Sequence, residues 1–359
     1  MRVLKLSIAL LSLGFFIACS NDEEPNVDIP VPEQFSVDIP GSISSNTGSL
    51  SGRTTGDGDG KIEGDEIYES LRYFIHIGEQ SAEIVEFTLQ VGAVLSANNV
   101  RSFRYDGEDD GREKRIDLNE DVTRGGVNYE YEMTLVDTEN DDLALQVLWN
   151  TNPVSGLAIL NPYHLDRTDL DADESAFLRI DYTEDHTDYE AAMTVSIAGV
   201  VAVENVDINN LKLFVGKNGD IVEVMGNSNH PNINIIDPDY SGGRNYAFVG
   251  RGDESTDLGV VKLALPPSSV ETGDVLEDYS VYAVLEAEIN AVAEGYFTQE
   301  EIEEILAEAG SPAYFNAQGF ITSGVDNKPS SFSGEFADLA GMTPFVPNDI
   351  KNLSIDFVQ

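Results

Sequence analysis

The chain has 359 residues, with 20 Lys+Arg against 65 Asp+Glu, a net charge of −45 and one Cys. At 41% hydrophobic and 9% aromatic residues it is globular and not a disordered acidic tail, because a chain this long can bury roughly 75% of its unfolded surface. The charge repels phosphate backbones and anionic headgroups, so nucleic acid is excluded as a partner and cations or basic surfaces are favoured; a single cysteine forms no internal disulfide.

Arg2 and Lys5 precede the apolar run Leu6 to Ala18, which stops at Cys19. The run is too short for a bilayer span of about 20 residues and has the layout of a secretory signal. Phe16-Ile17-Ala18-Cys19 resembles the lipobox of bacterial lipoproteins, with Phe16 where leucine is usual. The resemblance implies cleavage after residue 18, a diacylglycerol on the Cys19 thiol and a lipid-anchored outer-membrane protein. Ser20-Asn21-Asp22-Glu23-Glu24 is similar to the surface-export signal of Bacteroidota lipoproteins and implies the cell surface, with the periplasmic face as the alternative.

Residues 19–41 carry Pro25, Pro30, Pro32 and Pro40 between isolated apolar residues, a composition that predicts an extended tether with no fold of its own. Residues 42–359 are the expected β-rich domain, and Pro266-Pro267 marks an alternative division near residue 268.

Thr55-Gly56-Asp57-Gly58-Asp59-Gly60-Lys61-Ile62-Glu63-Gly64-Asp65-Glu66 resembles the twelve-residue calcium loop of the EF-hand family. The resemblance assigns Asp57 and Asp59 to loop positions three and five and the turn glycine to Gly60. It gives the Lys61 carbonyl position seven, Ile62 the apolar anchor, Glu63 a contact through water, and Glu66 the bidentate closing place. Thr55 stands where the family has Asp, and no helix precedes the loop, so the match is half an EF-hand and implies structural Ca²⁺. The competing reading is an Asp/Gly turn whose acids favour the following helix N-terminus.

Ile67, Leu71, Phe74, Ile75, Gly78, Ala82 and Val85 recur at helical spacing and predict one helix over 65–97. Ile84, Phe87, Val91, Val94 and Leu95 widen its apolar face, Gly78 or Gly92 supplies a kink, and Asn98-Asn99 a stop. From residue 100 the period becomes two. Residues 127–135, 143–149, 178–182 and 191–197 read as strands with one wet face, and Asn218-Gly219 as the type I′ turn of a hairpin over 211–224. A helix is expected over 298–309, with Thr298 and Glu301 as a capping box. Residues 280–290 are ambiguous, and 320–323, 331–336 and 353–357 are read as returning strands. The fold expected is α+β and β-rich, an antiparallel meander, sandwich or partial barrel, packed on one long helix.

The acidic clusters 108–110, 137–142 and 166–174 read as solvated hairpin turns, the third with cation-loop spacing as its alternative. His76 reads as a satisfied core or boundary residue; His164 and His186 would form a metal or haem pair only if the fold joined them; Arg251-Gly252-Asp253 reads as a turn beside a strand end. No catalytic motif stands out. The function expected is a non-enzymatic binding or scaffold lipoprotein whose partner is an envelope protein, a glycan or a hydrophobic ligand. The alternatives are a lipid or hydrophobic-cargo carrier and a surface glycan-processing enzyme.

Overall fold

The computed structural model describes residues 29–32, 34–46, 61–98, 100–107, 110–168, 174–199, 208–231, 236 and 240–359. Helix α1 runs Gly64–Ala97, about 51 Å at 1.5 Å per residue. It forms where the apolar spacing placed it: Ile67, Leu71, Phe74, Ile75, Ala82 and Val85 are all buried, and Asn98 caps the end. Val94 departs from the expected stripe and is 56% exposed. Gly78 and Gly92 lie inside one continuous helix. Each allows a close approach: a Cβ at Gly78 would come 2.7 Å from Leu213 Cδ2, and one at Gly92 2.9 Å from Met133 Sδ.

The strands are β1 (Ser102–Asp106), β2 (Glu113–Arg124), β3 (Val127–Asp137), β4 (Asp142–Thr151), β5 (Val154–Leu160), β6 (Phe177–Thr183), β7 (Ala191–Ala198), β8 (Asn210–Asn218), β9 (Ile221–His230), β10 (Arg244–Asp253), β11 (Leu258–Ala264), β12 (Ala313–Asn316) and β13 (Gly319–Ser323). They form one 13-stranded sheet in sequence order, every neighbour antiparallel. The β-rich α+β meander on a long helix is therefore the observed architecture. The sheet is continuous across residue 268, since Gly259 to Val261 of β11 pair with Phe315 to Ala313 of β12.

With strands about 4.8 Å apart, the sheet is about as wide as α1 is long, and the helix lies across it. The α1 N-terminus meets β12 and β13 through Tyr68, Phe315 and Phe320, its middle meets Leu213 on β8, and Gly92 meets Met133 on β3 and Leu118 on β2. Between β11 and β12 lie short α3 (Val275–Asp278) and the pair α4 (Val281–Val292) and α5 (Gln299–Ile305). Their buried Val281, Leu285, Ile289, Ile302 and Leu306 join the same core. The ambiguous 280–290 segment is thus helix. The capping box of α5 forms as expected, but the helix ends at Ile305, short of residue 309.

Two irregular segments lace the sheet crosswise. On the inner face, residues 29–32 and 34–46 form a strap beside α1, and Ile29, Phe35, Val37, Ile39 and Ile43 are all buried. This corrects the expected tether over 19–41, whose described part belongs to the folded body. The strap needs no ladder hydrogen bonds because Pro30, Pro32 and Pro40 have no N–H to satisfy and the N–H groups of Ile29, Phe35 and Ile39 are taken by α1 side chains.

On the outer face the C-terminal segment runs back over the strands as a belt. Phe332 and Leu339 cover Val249, Val260 and Tyr314; short α6 (Pro347–Lys351) crosses β8 and β9; Ile355 covers Leu148, Leu157 and Ile159. Gln359 O accepts from Gly125 N at 2.7 Å. Residues 331–336 and 353–357, expected as strands, cross the sheet face instead of pairing at an edge. Amide side chains meet their backbone needs: Asn227 Nδ2 donates to Phe345 O at 2.7 Å, Asn210 Nδ2 to Ile350 O at 2.8 Å, and Gln146 exchanges two hydrogen bonds with Val358.

The belt also explains why residues 226–230 of β9, most of β10 and β11, and residues 144–149 of β4 are buried on both faces, for β4 against the expected single wet face. The β8–β9 turn differs in detail from its expectation. Asn218 still pairs with Ile221, so Gly219 and Asp220 are the central residues, and only Gly219 has positive φ, 56°. Glycine first is the arrangement of a type II′ turn, not type I′.

Candidate functional site at the strap–helix seam

The strap runs antiparallel to α1. Ile29 N donates to Ser96 Oγ at 2.6 Å, Phe35 N to Glu86 Oε1 at 3.0 Å, Ser44 Oγ to Glu79 Oε2 at 2.6 Å, and Ser45 N to Arg72 O at 3.3 Å. Arg72, Glu79 and Glu86 are seven residues apart, which stacks them on one side of a 3.6-residue helix. His76 stands four residues after Arg72 and three before Glu79, within side-chain reach of both.

Where the strap turns away, a cavity of about 410 Å³ opens, lined by Gly41, Ser44, Arg72, His76, Glu79 and Gln318 among others. The Arg72 side chain is 5% exposed and ion-paired with Glu69. It donates from Nη2 to Gly41 O at 2.6 Å and stands 5.8 Å from the Phe315 ring centre. Gly319 in the β12–β13 turn has φ 116°, and a Cβ there would lie 2.7 Å from Glu69 Oε1, so the missing side chain lets this turn close on the pair. Arg72 Nε and His76 Nε2 are buried with no protein hydrogen-bond partner. The expectation of a satisfied His76 therefore holds only for Nδ1, which faces Glu79 Oε2 at 3.2 Å and Ser44 Oγ at 3.4 Å.

The chemistry follows from these directions. Arg72 Nε can only donate, so it suits a polar ligand that presents an acceptor. Ser44 and the His76 Nδ1 both address one Glu79 oxygen. A nucleophile relay needs the imidazole between hydroxyl and acid, one nitrogen to each. This seam has groups for holding a polar molecule and no such relay.

A second polar centre is buried beside β2, β3 and short α2 (Pro162–Leu165). Asp110, Lys114 and Asp137 have side chains 2%, 1% and 0% exposed. Arg112 holds Asp137 through Nε at 2.6 Å and Nη2 at 3.1 Å, and Lys114 Nζ reaches Asp110 at 3.0 Å, Asp137 at 3.4 Å and His164 O at 3.2 Å. Arg167 pairs with Asp142 and stacks 4.6 Å from the Tyr163 ring centre. Burial would raise the Asp137 carboxyl, but the Arg112 hydrogen bonds, the Glu139 N–H and the Lys114 and Arg112 charges outweigh it and hold it down to about 2. Asp110 and Asp137 were expected in solvated turns; they are instead neutralised inside the fold. The i, i+4 pair Asp110–Lys114 was the available signal.

The other sequence-derived sites divide between described and undescribed residues. Cys19, Thr55, Asp57, Asp59 and most of the 166–174 cluster's centre lie outside the described residues. Lys61 Nζ pairs with Glu304 at 3.0 Å, Ile62 is buried and its N–H donates to Ile305 O at 3.0 Å, Glu63 is the α1 N-cap residue, and Glu66 falls in the first turn. Among the described residues no group of three or more His, Cys, Asp or Glu is placed to hold a metal ion.

His164 and His186 lie beyond opposite ends of β6, about 23 Å of strand apart, so the fold does not bring them together. Arg251, Gly252 and Asp253 are not the expected turn: they are the last three residues of β10 and pair with β9 and β11 on either side. Arg251 grips Glu223, and its Nη1 donates to the carbonyls of Glu335, Phe336 and Asp338 in the belt. Comparison with protein-family models, with curated proteins and with solved structures gives no match for this chain.

Proposed function

We propose that this chain is an outer-membrane lipoprotein, anchored through Cys19 at the cell surface, that works as a non-enzymatic binding or scaffold module with a structural Ca²⁺ in the 55–66 loop. The lone cysteine closing the apolar N-terminal run carries this reading. Its geometric support is that Ile29 is locked to Ser96 by two hydrogen bonds. The ten residues from Cys19 to Ile29 span at most about 35 Å, so the α1 C-terminal end is the end of the body tethered to the anchor. The Arg72–His76–Glu79 seam supports binding over catalysis, because its hydroxyl and imidazole converge on one carboxylate oxygen.

Envelope fractionation of parent and Cys19→Ser chains, with mass measurement of the N-terminal peptide, tests the anchor. The expected result is a diacylated Cys19 in the parent and release of the variant; identical fractionation and a fatty-acid-free terminus refute it. Calorimetric titration at millimolar Ca²⁺, with Glu66→Gln as control, tests the loop, and absence of heat in the parent refutes it. The cargo-carrier alternative would have to displace the strap, whose Phe35, Val37 and Ile39 fill the inner face.

A further inference from the structure

The segment linking α4 to α5 is exposed over residues 290–301 apart from a half-buried Ala293. Its apolar side chains face water: Val292 is 53%, Tyr296 87% and Phe297 45% exposed. Solvent-facing aromatics in one short segment are the kind of surface that protein interfaces use as anchors. From residue 281 to 312 the chain has eight Glu and no Lys, Arg or His. Glu288 is committed to Arg244 and Glu304 to Lys61, while Glu294, Glu300 and Glu303 stand exposed around the tip.

The tip's location is set by α5. Its last residue, Ile305, accepts from Ile62 N just before α1 begins, and Glu308 accepts from Gly64 N at 3.0 Å. Ser96, which fixes the start of the strap, is about 48 Å further along α1. The exposed aromatics and the first described residue of the strap therefore occupy opposite ends of the molecule.

We propose that the 290–301 tip is the docking site for a basic protein partner that takes Tyr296 and Phe297 into an apolar pocket rimmed by Lys and Arg. This rests on the reading of the chain as an anchored binding module, for which the tip is the end farther from the anchored residue. A partner that buries the aromatics must also approach several carboxylates, and only a cationic rim compensates their desolvation. Anionic headgroups would be repelled by the same carboxylates.

The test is calorimetric titration of the full-length chain in non-ionic detergent at physiological salt. The probe is a synthetic amphipathic helix with Leu on one face and Lys on the other. The expected result is binding that weakens about tenfold or more in the Tyr296→Ser/Phe297→Ser double variant and is unchanged in Val127→Ser, another exposed apolar site. Equal affinity in the double variant overturns the proposal, because charge alone would then account for binding. So do absence of binding by the parent, equal binding of a Leu/Glu peptide, and tip-dependent sedimentation with phosphatidylglycerol vesicles. Failure of the anchor reading would show separately, as unchanged fractionation of Cys19→Ser with the titration unaffected.

Discussion

Asp137→Asn tests the buried charge centre with almost no change of volume. The substitution leaves Arg112, Lys114 and Arg167 facing a neutral amide. Breaking a buried pair by neutralising one partner costs about 3–5 kcal/mol. Here the cost should lie near the lower end, about 3 kcal/mol, because each cation keeps a second acid: Arg112 retains Glu139 at 2.9 Å, Lys114 retains Asp110, and Arg167 retains Asp142. The assay is urea unfolding of parent and variant at a series of pH values. In the folded parent the carboxyl is held down to about 2, below its unfolded value near 3.8. Its stabilisation is therefore fully present above the unfolded value and is lost as pH falls toward 2. The gap between parent and variant should be constant from pH 7 to about 5 and narrow below that, over the range in which the parent stays folded. A gap below about 1 kcal/mol at pH 7, or one that ignores acid, refutes the assignment of Asp137 as the ionised hub.

Phe35→Ala should cost about 3–5 kcal/mol in denaturant unfolding, since the ring is fully buried and 5.3 Å from that of Tyr182; a cost under about 1 kcal/mol would return this segment to a loose tether. Gly78→Ala and Gly92→Ala both gain about 1 kcal/mol of helix propensity. At Gly78 the new methyl meets fully buried Leu213, so the net effect should be a loss of about 1–2 kcal/mol. At Gly92 it meets the adaptable Met133 thioether and should be within about 0.5 kcal/mol of neutral; identical unfolding midpoints for the two variants would contradict this packing. Burial pushes His230 down to about 3, so its ring proton resonances should stay flat from pH 8 to 5. The unfolded chain protonates this group near pH 6.5, so it lowers stability as pH falls through that value. An NMR titration midpoint between 5 and 8 would refute the buried placement.

Much of the fold was legible because it rests on local periodicity. The α1 stripe and the alternation in β3 and β6 encode which side of an element is apolar, and the capping box marks where α5 begins; β5 carries no alternation and was not legible. The seam was half legible: Arg72, Glu79 and Glu86 interrupt an apolar helix at sevenfold spacing, which marks one polar side but does not say what lies against it. The belt was illegible. Leu353 to Phe357 alternate as a strand would, yet the segment is tied down just beyond them, where the backbone of Val358 is met by the Gln146 side chain, a partner more than two hundred residues away.

Composition and pattern by themselves determined that this acidic chain builds an antiparallel meander on one long helix, because hydrophobic spacing is a property of neighbours along the chain. Only the tertiary structure decided that the proline-rich strap is core, that Asp110 and Asp137 are neutralised inside the fold, and that Tyr296 and Phe297 are left in water. Burial depends on what another part of the chain brings to a surface, and residue type constrains that meeting without specifying it.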